Sequence, residues 1–197
     1  MKLLAFSDLH RDKECAERLV EMARGADVVV GAGDYATMRI GLNGTIETLS
    51  AITAPAVLVP GNAESDTELW RACAVWPSAD VLHGQGKEIA GVQFFGLGGG
   101  VPPTPFPWSF DLSEDEAAAK LDSCPDGAVL VVHSPPKGYL DEAHGRHRGS
   151  TAVLAAIERT RPALVVCGHI HQCWGGEATI GTTPVVNLGP EGRLLEI

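Results

Sequence analysis

Short apolar runs alternate with amphipathic segments along most of the chain. Five runs rich in Val, Leu and Ala have the length of buried strands, at residues 2–7, 27–31, 56–59, 128–132 and 163–167. Four intervening segments have the apolar spacing of helices, at residues 12–24, 44–52, 113–122 and 150–159. Ser113 and Glu116 form the capping box typical of a helix start. This alternation predicts an α/β fold with a largely parallel sheet.

Two stretches depart from this alternation. Residues 87–97 predict a β-hairpin that turns at Ala90-Gly91, and residues 174–196 predict two or three short antiparallel strands. We therefore expect a second sheet that is partly antiparallel. The long irregular segment 98–110 carries Phe106, Trp108 and Phe110, which favours an ordered functional loop over disorder. Nothing divides the chain, so residues 1–197 are expected to form one domain.

Composition and charge exclude several classes of protein. The net charge of -10, with 15 lysines and arginines that form no basic stripe, argues against a nucleic-acid partner. No apolar run approaches the roughly 20 residues of a membrane span, and Asp8 interrupts the first run before a signal-peptide core can form. The five cysteines are scattered and contain no CxxC pair, which fits reduced thiols and a cytoplasmic protein. The sequence is compatible with a homo-oligomer but does not set the oligomeric state.

Each of the five predicted strands is followed by residues of the types that bind metal ions. Because sites in α/β sheets form at the carboxyl ends of strands, these five segments are expected to converge. In Asp8-Leu9-His10 and His169-Ile170-His171, side chains two residues apart can share one face of an extended segment. The predicted metal ligands are Asp8, His10, Asp34, Asn62, His133, His169 and His171.

The combination of imidazole, carboxylate and amide donors suits borderline divalent cations. Seven ligands are too many for one tetrahedral zinc ion but suit two ions that share a carboxylate. Each residue alone has an ordinary structural explanation: Asp8, Asp12 or Asp34 as a helix cap, a buried histidine as a hydrogen-bonding group, and Asn62 as a turn residue. The joint pattern, one candidate set at each strand end, favours the metal site. Its positive charge would attract an anionic substrate.

The order of these residues resembles the calcineurin-like metallophosphoesterase superfamily, whose motifs are D-x-H, G-D, G-N-H-[ED], a lone histidine and G-H-x-H. The resemblance extends from Asp8 to His171. It implies a four-layer α/β sandwich of two mixed β-sheets flanked by helices. It implies two divalent ions, with manganese expected and iron, zinc, nickel or magnesium as alternatives. The first ion would be held by Asp8, His10 and His171 and the second by Asn62, His133 and His169, with Asp34 bridging them.

The function that the resemblance implies is the metal-dependent hydrolysis of phosphate esters. A hydroxide that bridges the two ions would attack phosphorus, with Asp34, Asn62 and His133 as the catalytic residues. The expected substrate is a small phosphodiester, nucleotides included. A broad-range phosphomonoesterase and a weakly active member that acts as a binding protein are the alternatives. The stretch from His147 to His171 also resembles a subgroup of small phosphodiesterases that contains the mammalian brain phosphodiesterases.

The chain departs from the family pattern at position 63. The motif reads Gly61-Asn62-Ala63-Glu64, so the histidine that protonates the leaving oxygen in relatives is missing. Thr37 stands where relatives often carry an acid that pairs with that histidine. General acid catalysis typically contributes about 10²–10⁴-fold, so substrates with poor leaving groups, such as phosphoserine proteins, are disfavoured.

Residues 141–150 contain candidate substitutes for the missing acid. As a substrate loop, this segment would place a proton donor and phosphate-binding side chains over the metals. As an ordinary solvated loop, it would only lead into the following helix, and the sequence leaves both interpretations open. The candidate substrate-binding residues, together with Asn62, are His144, Arg146, His147 and Arg148. His83 has no partner pattern and is expected to be structural.

Overall fold

Two β-sheets face each other across an apolar core in a computed structural model that describes residues 1–197. The first sheet has the spatial order β13-β1-β2-β3-β4. Its strands are β1 (Lys2–Phe6), β2 (Val28–Gly31), β3 (Ala56–Leu58), β4 (Ala79–Val81) and β13 (Arg193–Glu196). Strands β1 to β4 are parallel, and β13 pairs antiparallel with β1.

The second sheet has the spatial order β11-β12-β10-β7-β6-β5. Its strands are β5 (Gln85–Ile89), β6 (Val92–Leu97), β7 (Val129–Val132), β10 (Leu164–Cys167), β11 (Glu177–Ile180) and β12 (Thr183–Asn187). The four inner strands are parallel, whereas the two edge strands pair antiparallel with their neighbours. The predicted hairpin is the β5–β6 pair, and Ala90 and Gly91 at its turn have φ values of 51° and 82°. A two-residue hairpin of this type requires positive φ at both turn positions.

Five helices cover the outer faces of the two sheets. They are α1 (Lys13–Met22), α2 (Leu42–Leu49), α3 (Asp66–Ala72), α4 (Glu114–Leu121) and α5 (Thr151–Thr160). Side chains of α1, α2 and α3 pack on the first sheet, and those of α4 and α5 pack on the second. The predicted four-layer sandwich of two mixed sheets is therefore confirmed. None of these helices combines the length and apolarity that crossing a membrane requires.

The apolar runs are nearly continuous because the central strands are buried on both faces. In β1, Leu3 and Ala5 point into the core between the sheets, while Leu4 and Phe6 pack against the helices. Successive side chains of a strand point to opposite faces, so a strand inside a four-layer fold needs apolar residues at every position. Residues 3 to 6 of this strand follow the pattern, whereas Lys2 at its start is exposed.

Helix starts follow local capping rules. Asp12 caps α1 by accepting a hydrogen bond from the Cys15 N–H at 2.9 Å. The predicted capping box of Ser113 and Glu116 is present at α4. A second capping box, Ser65 with Glu68, begins α3. Helix α3 was not predicted, although the spacing of Ser65 and Glu68 is a signal for it.

Several predicted boundaries were wrong, as were some strand partners. Helix α2 begins two residues before the predicted start and ends three residues before the predicted end, and β4 was not predicted. In the segment 174–196, β11 and β12 form an antiparallel pair, but β12 is parallel to β10 and β13 joins the other sheet. Hydrophobic alternation identifies strands but does not encode which distant strand each one pairs with.

Candidate metal centre

The carboxyl ends of three strands of the first sheet and two of the second meet at one edge of the sandwich. Backbone hydrogen bonds connect the segments that follow these strands. The Asp8 N–H donates to the Gly33 carbonyl at 2.8 Å, the His10 N–H donates to the Asp34 carbonyl at 2.9 Å, and the Gly168 N–H donates to the His133 carbonyl at 3.0 Å. The convergence expected from the sequence is thus a property of the fold.

Four of the predicted ligands have left-handed backbone conformations. The φ values are 54° at Asp8, 46° at His10, 59° at Asp34 and 68° at His169. Such values are uncommon outside glycine, and they persist where the surrounding structure imposes them, which is frequent at functional sites. Here each one turns the chain sharply just after a strand, so that the side chain faces the meeting point of the two sheets.

The structure gathers these side chains into two clusters. The outer cluster consists of Asp8, His10 and His171, and the inner cluster of Asp34, His133 and His169; within each, the possible ligand atoms lie within 4.8 Å of one another. Asp34 also faces both clusters, because its Oδ1 lies 3.5 Å from His133 Nε2 and its Oδ2 lies 3.5 Å from His10 Nε2.

Asn62 completes the set, with its Oδ1 at 3.2 Å from His133 Nε2. All seven predicted ligands therefore lie together, in the two groups that the family resemblance implied. That these residues bind metal stays a prediction.

The orientation of two imidazole rings suits metal binding. His10 Nδ1 donates to the Ala36 carbonyl at 3.0 Å, and His133 Nδ1 donates to the Ala32 carbonyl at 2.8 Å. Because a carbonyl can only accept, a neutral ring at either position presents the Nε2 lone pair to the cluster. His10 Nε2 lies 3.1 Å from His171 Nε2. Lone pairs and carboxylates that face one another in this way are the donors that a divalent cation requires.

Burial and neighbouring charges shift the pKa values of these groups in opposite directions. Burial, with the charge of Asp8 added, raises the pKa of Asp34 to about 7. Burial also raises the pKa of Asp8, but the hydrogen bond with His171 and nearby histidines outweigh it, so the net pKa is lowered. Burial lowers the pKa of His169 to about 3. Divalent ions would favour the ionised carboxylates and the neutral imidazoles together.

Three hydrogen bonds that the sequence did not predict hold Asp8 in place. Its carboxylate accepts hydrogen bonds from Ser7 Oγ at 2.5 Å, from Trp174 Nε1 at 3.2 Å and from the His169 N–H at 3.1 Å. The Trp174 ring also lies against His171, with the ring centroids 4.3 Å apart. Hydrogen bonds of this kind orient metal ligands and tune their basicity. Nothing in the sequence pattern distinguished Trp174 for this role.

Glu64 organises the two loops that present Asp34 and Asn62. This buried carboxylate accepts hydrogen bonds from the backbone N–H groups of Asp34 at 2.9 Å, Ala36 at 2.9 Å and Gly61 at 2.6 Å. Gly61 is needed for the close approach, because a Cβ there would collide with the Asp34 carboxylate. The signal for Glu64 was its position at the end of the Gly61–Glu64 motif.

The loop 98–110 is ordered, as its aromatic content predicted, and it reaches the centre. Asn62 Nδ2 donates to Ser109 Oγ at 3.0 Å, and Ser109 Oγ donates to Asp111 Oδ1 at 2.7 Å. The Phe110 N–H donates to the Asn62 carbonyl at 2.9 Å. Asn62 is thereby held with its Oδ1 toward the inner cluster, and Ser109 is a further residue that the sequence analysis did not identify.

Positions 63 and 37 supply no proton donor to the centre. Ala63 is 1% exposed and packs into the apolar core beneath the site. Its N–H donates to Asp34 Oδ1 at 2.8 Å. The Thr37 hydroxyl donates to the His10 carbonyl at 2.8 Å. At the two positions that carry the acid pair in relatives, the Ala63 backbone therefore holds the Asp34 carboxylate and the Thr37 side chain holds the backbone of His10.

The segment 141–150 forms a small hairpin of β8 (Glu142–Ala143) and β9 (Arg146–His147) at the rim. His147 and Arg148 line a cleft of about 400 Å³ that they share with the ligand His169, whereas His144 and Arg146 are exposed residues that do not line it. Two of the four candidate substrate-binding residues of this segment are thus next to the centre. His83 is half-buried elsewhere, and its Nδ1 accepts the Gly98 N–H at 3.2 Å, in keeping with a structural role.

Known proteins identify the class to which this fold and centre belong. The chain belongs to the calcineurin-like phosphoesterase family, whose model matches residues 1–173. Its class is therefore that of the metal-dependent phosphoesterases, as the motifs predicted. It is 31% identical to human metallophosphoesterase domain-containing protein 1 over 135 residues, which is 66% of this chain and 39% of that protein. The match thus spans about two fifths of that relative's length.

Solved structures agree on the fold. The structure of TT1561 from Thermus thermophilus superposes with a TM-score of 0.76 and 21% identity, covering 96% of this chain and 90% of that one. A dimetal phosphatase from Danio rerio superposes with a TM-score of 0.64 and 14% identity, covering 96% and 88%. At these identities the similarity establishes the shared fold alone.

Proposed function

We propose that the chain is a two-metal phosphodiesterase that acts on small phosphodiesters, with Asp34 as the residue that joins the two ions. The observation that carries this proposal is the position of Asp34, whose two carboxylate oxygens each lie 3.5 Å from a histidine of a different cluster. A carboxylate with one oxygen toward each set of ligands is the feature that a dinuclear site needs and a mononuclear site does not.

Each residue has a definite task in this proposal. Two divalent ions, manganese first among the candidates, would lower the pKa of a bound water and polarise the phosphoryl oxygens. Asp34 sets the spacing of the two clusters. His133, held by the Ala32 carbonyl, orients the inner cluster, and Asn62 is close enough to it to contact a phosphate oxygen as well. The substrate is a small cytoplasmic phosphoester rather than a nucleic acid, in line with the net charge of -10.

The cleft beside His169 favours diesters over monoesters. It provides about 400 Å³ next to a ligand of the inner cluster, which is room for a second substituent on phosphorus. The absence of a donor at Ala63 favours esters with good leaving groups. That same absence also supports a weakly active member that binds a partner through the metal face, so the assay must separate these two functions.

The experiment compares bis-p-nitrophenyl phosphate with p-nitrophenyl phosphate, using protein reconstituted with Mn²⁺. We expect kcat/KM to favour the diester. A clear preference for the monoester would assign a phosphomonoesterase instead. Protein that binds two ions but turns over neither compound would support the binding function. Asp34→Asn is the matched control, because it keeps the side-chain volume while removing the charge shared by the clusters, and it should abolish both activities.

A further inference from the structure

The histidine of the rim hairpin is held by a buried carboxylate. His147 Nδ1 donates to Asp141 Oδ1 at 2.6 Å, and the Asp141 side chain is only 1% exposed while that of His147 is 56% exposed. Asp141 is itself fixed by hydrogen bonds from the Gly138 N–H at 3.0 Å and the Gly149 N–H at 2.9 Å. Because Nδ1 is engaged by Asp141, Nε2 is the free nitrogen of this ring. An imidazole oriented by a buried carboxylate is an arrangement suited to proton transfer.

The ring of His147 opens onto the cleft that adjoins the metal centre. The cleft is lined by His147 and Arg148 of the hairpin, by residues 102–106, and by His169 and Ile170. The cleft therefore connects a ligand of the inner cluster directly to a potential proton donor. His144 is at the turn of the same hairpin, where its N–H donates to Gln172 Oε1 at 3.1 Å, and it does not line the cleft.

The segment 102–106 of the cleft lining is largely apolar and contains an aromatic ring. It includes Pro102, Pro103, Pro105 and Phe106, and the Phe106 ring stacks on Trp108 with centroids 5.3 Å apart and planes 10° apart. Phe106 is 51% exposed, so one face of the stacked pair remains available. Aromatic faces bind flat rings such as aryl groups and nucleobases. Arg148, a planar cation in the same cleft, suits a phosphate oxygen.

We propose that this cleft is the leaving-group subsite of the proposed phosphodiesterase, that it takes aryl or nucleoside esters, and that His147 protonates the leaving oxygen there. The inference rests on the proposed function and assigns the donor that Ala63 does not provide. In the reaction, water attacks phosphorus and releases a proton to solvent. The P–O bond to the leaving group breaks, and its electron pair takes the Nε2 proton of the His147 imidazolium. The neutral ring then regains a proton from solvent.

The test uses aryl and benzyl esters of thymidine 5′-phosphate that differ in the acidity of the leaving alcohol. In Mn²⁺-loaded protein, His147→Asn should reduce kcat/KM by about 10²-fold or more for the phenyl and benzyl esters, yet change the p-nitrophenyl ester by no more than about threefold. The p-nitrophenyl ester thus reports that the variant is folded and metal-loaded. His144→Asn is the matched control on the same hairpin, where asparagine tolerates the φ of 52°, and it should leave the whole series unchanged.

A second measurement is independent of turnover and of metal. In the metal-free protein, long-range ¹H–¹⁵N spectra should place a proton on Nδ1 of His147, and Asp141→Asn should remove that preference. An equal loss for all esters in His147→Asn, or no loss for any, would overturn the assignment of His147 as proton donor, as would a wild-type ring without the Nδ1 proton. If wild-type protein hydrolysed no ester, including the p-nitrophenyl ester, the proposed function would fail and this inference with it.

Discussion

The outer and inner clusters contain the same kinds of donor at different depths. Each combines one buried aspartate with two histidines. The side chains of His10 and His171 in the outer cluster are 28% and 49% exposed. In the inner cluster, the side chain of His133 is 0% exposed and His169 is half-buried. The difference arises because His133 directly follows the central strand β7, while His171 lies in a short 3₁₀ helix (His171–Cys173) beyond β10. The inner cluster also has the amide oxygen of Asn62 beside it. We therefore expect the inner ion to be retained and the outer ion to exchange.

The largest expected effect separates the two clusters by mutation. His133→Ala should remove the inner ion and lower kcat/KM for bis-p-nitrophenyl phosphate by roughly 10³-fold or more, since bound ions supply several kcal/mol of transition-state stabilisation. It should also lower the free energy of unfolding by about 1–3 kcal/mol, because buried partners lose a hydrogen bond. His171→Ala should remove the outer ion and lower the metal-free stability by less than His133→Ala does, because the His171 side chain is 49% exposed. Equal changes in metal content and in stability for the two variants would contradict the difference in depth.

Graded chelation should sharpen the comparison. Competition with EDTA should release metal in two phases, the outer ion first. Trp174 contacts both Asp8 and His171, so its fluorescence should change in the fast phase and not in the slow one. Trp174→Phe provides the control that assigns the signal. Loss of the last ion should lower the free energy of unfolding by about 2.7 kcal/mol when free metal had been 100-fold above Kd. Simultaneous release of both ions would argue for a single cooperative site.

Removing a hydrogen bond around the ligands of one cluster should lower the affinity of that cluster for its ion and leave the other cluster unchanged. Trp174→Phe keeps a ring against His171 but loses the hydrogen bond to Asp8, and we expect about 10–100-fold weaker binding of the outer ion alone. Ser109→Ala removes the hydrogen bond that holds the Asn62 side chain and should weaken binding of the inner ion by a similar factor. Isothermal titration with Mn²⁺ measures both affinities. If each substitution lowered the affinity for both ions equally, the hydrogen bonds around one cluster would not act on that cluster alone.

The smallest effect concerns pH. The hydrogen bond with Asp8 raises the pKa of His171, so protons compete with the outer ion for this ring as pH falls toward 5. Burial lowers the pKa of His169 to about 3, so the His169 ring stays neutral over this range. Asp34, with its pKa raised to about 7, binds a proton in this range, which lowers the affinity for both ions alike. Metal content after dialysis between pH 7 and pH 5 should therefore drop first from two ions to one. Loss of the inner ion first would show that exposure does not govern the order.

The candidate ligands were predictable because they combine residue type with local position. Asp8, Asp34 and His133 each follow an apolar run of strand length, and their types are those of metal ligands. The supporting residues were not predictable in the same way. Trp174 and Ser109 reach Asp8 and Asn62 across 166 and 47 residues of chain. Such contacts depend on how loops from different parts of the chain pack, and no local pattern records them.

The sequence alone therefore determined the alternation of strands and helices, the capping of α1 and α4, the metal-ligand types at five strand ends, and the absence of a donor at Ala63. These features are local, because strand period, helix caps and turn chemistry depend on neighbouring residues. Only the tertiary structure decided that β13 pairs with β1, that one cluster lies deeper than the other, and that His147 rather than His144 lines the cleft. The physical reason is that pairing, depth and side-chain reach are set by long-range packing, where many partners satisfy the same local pattern.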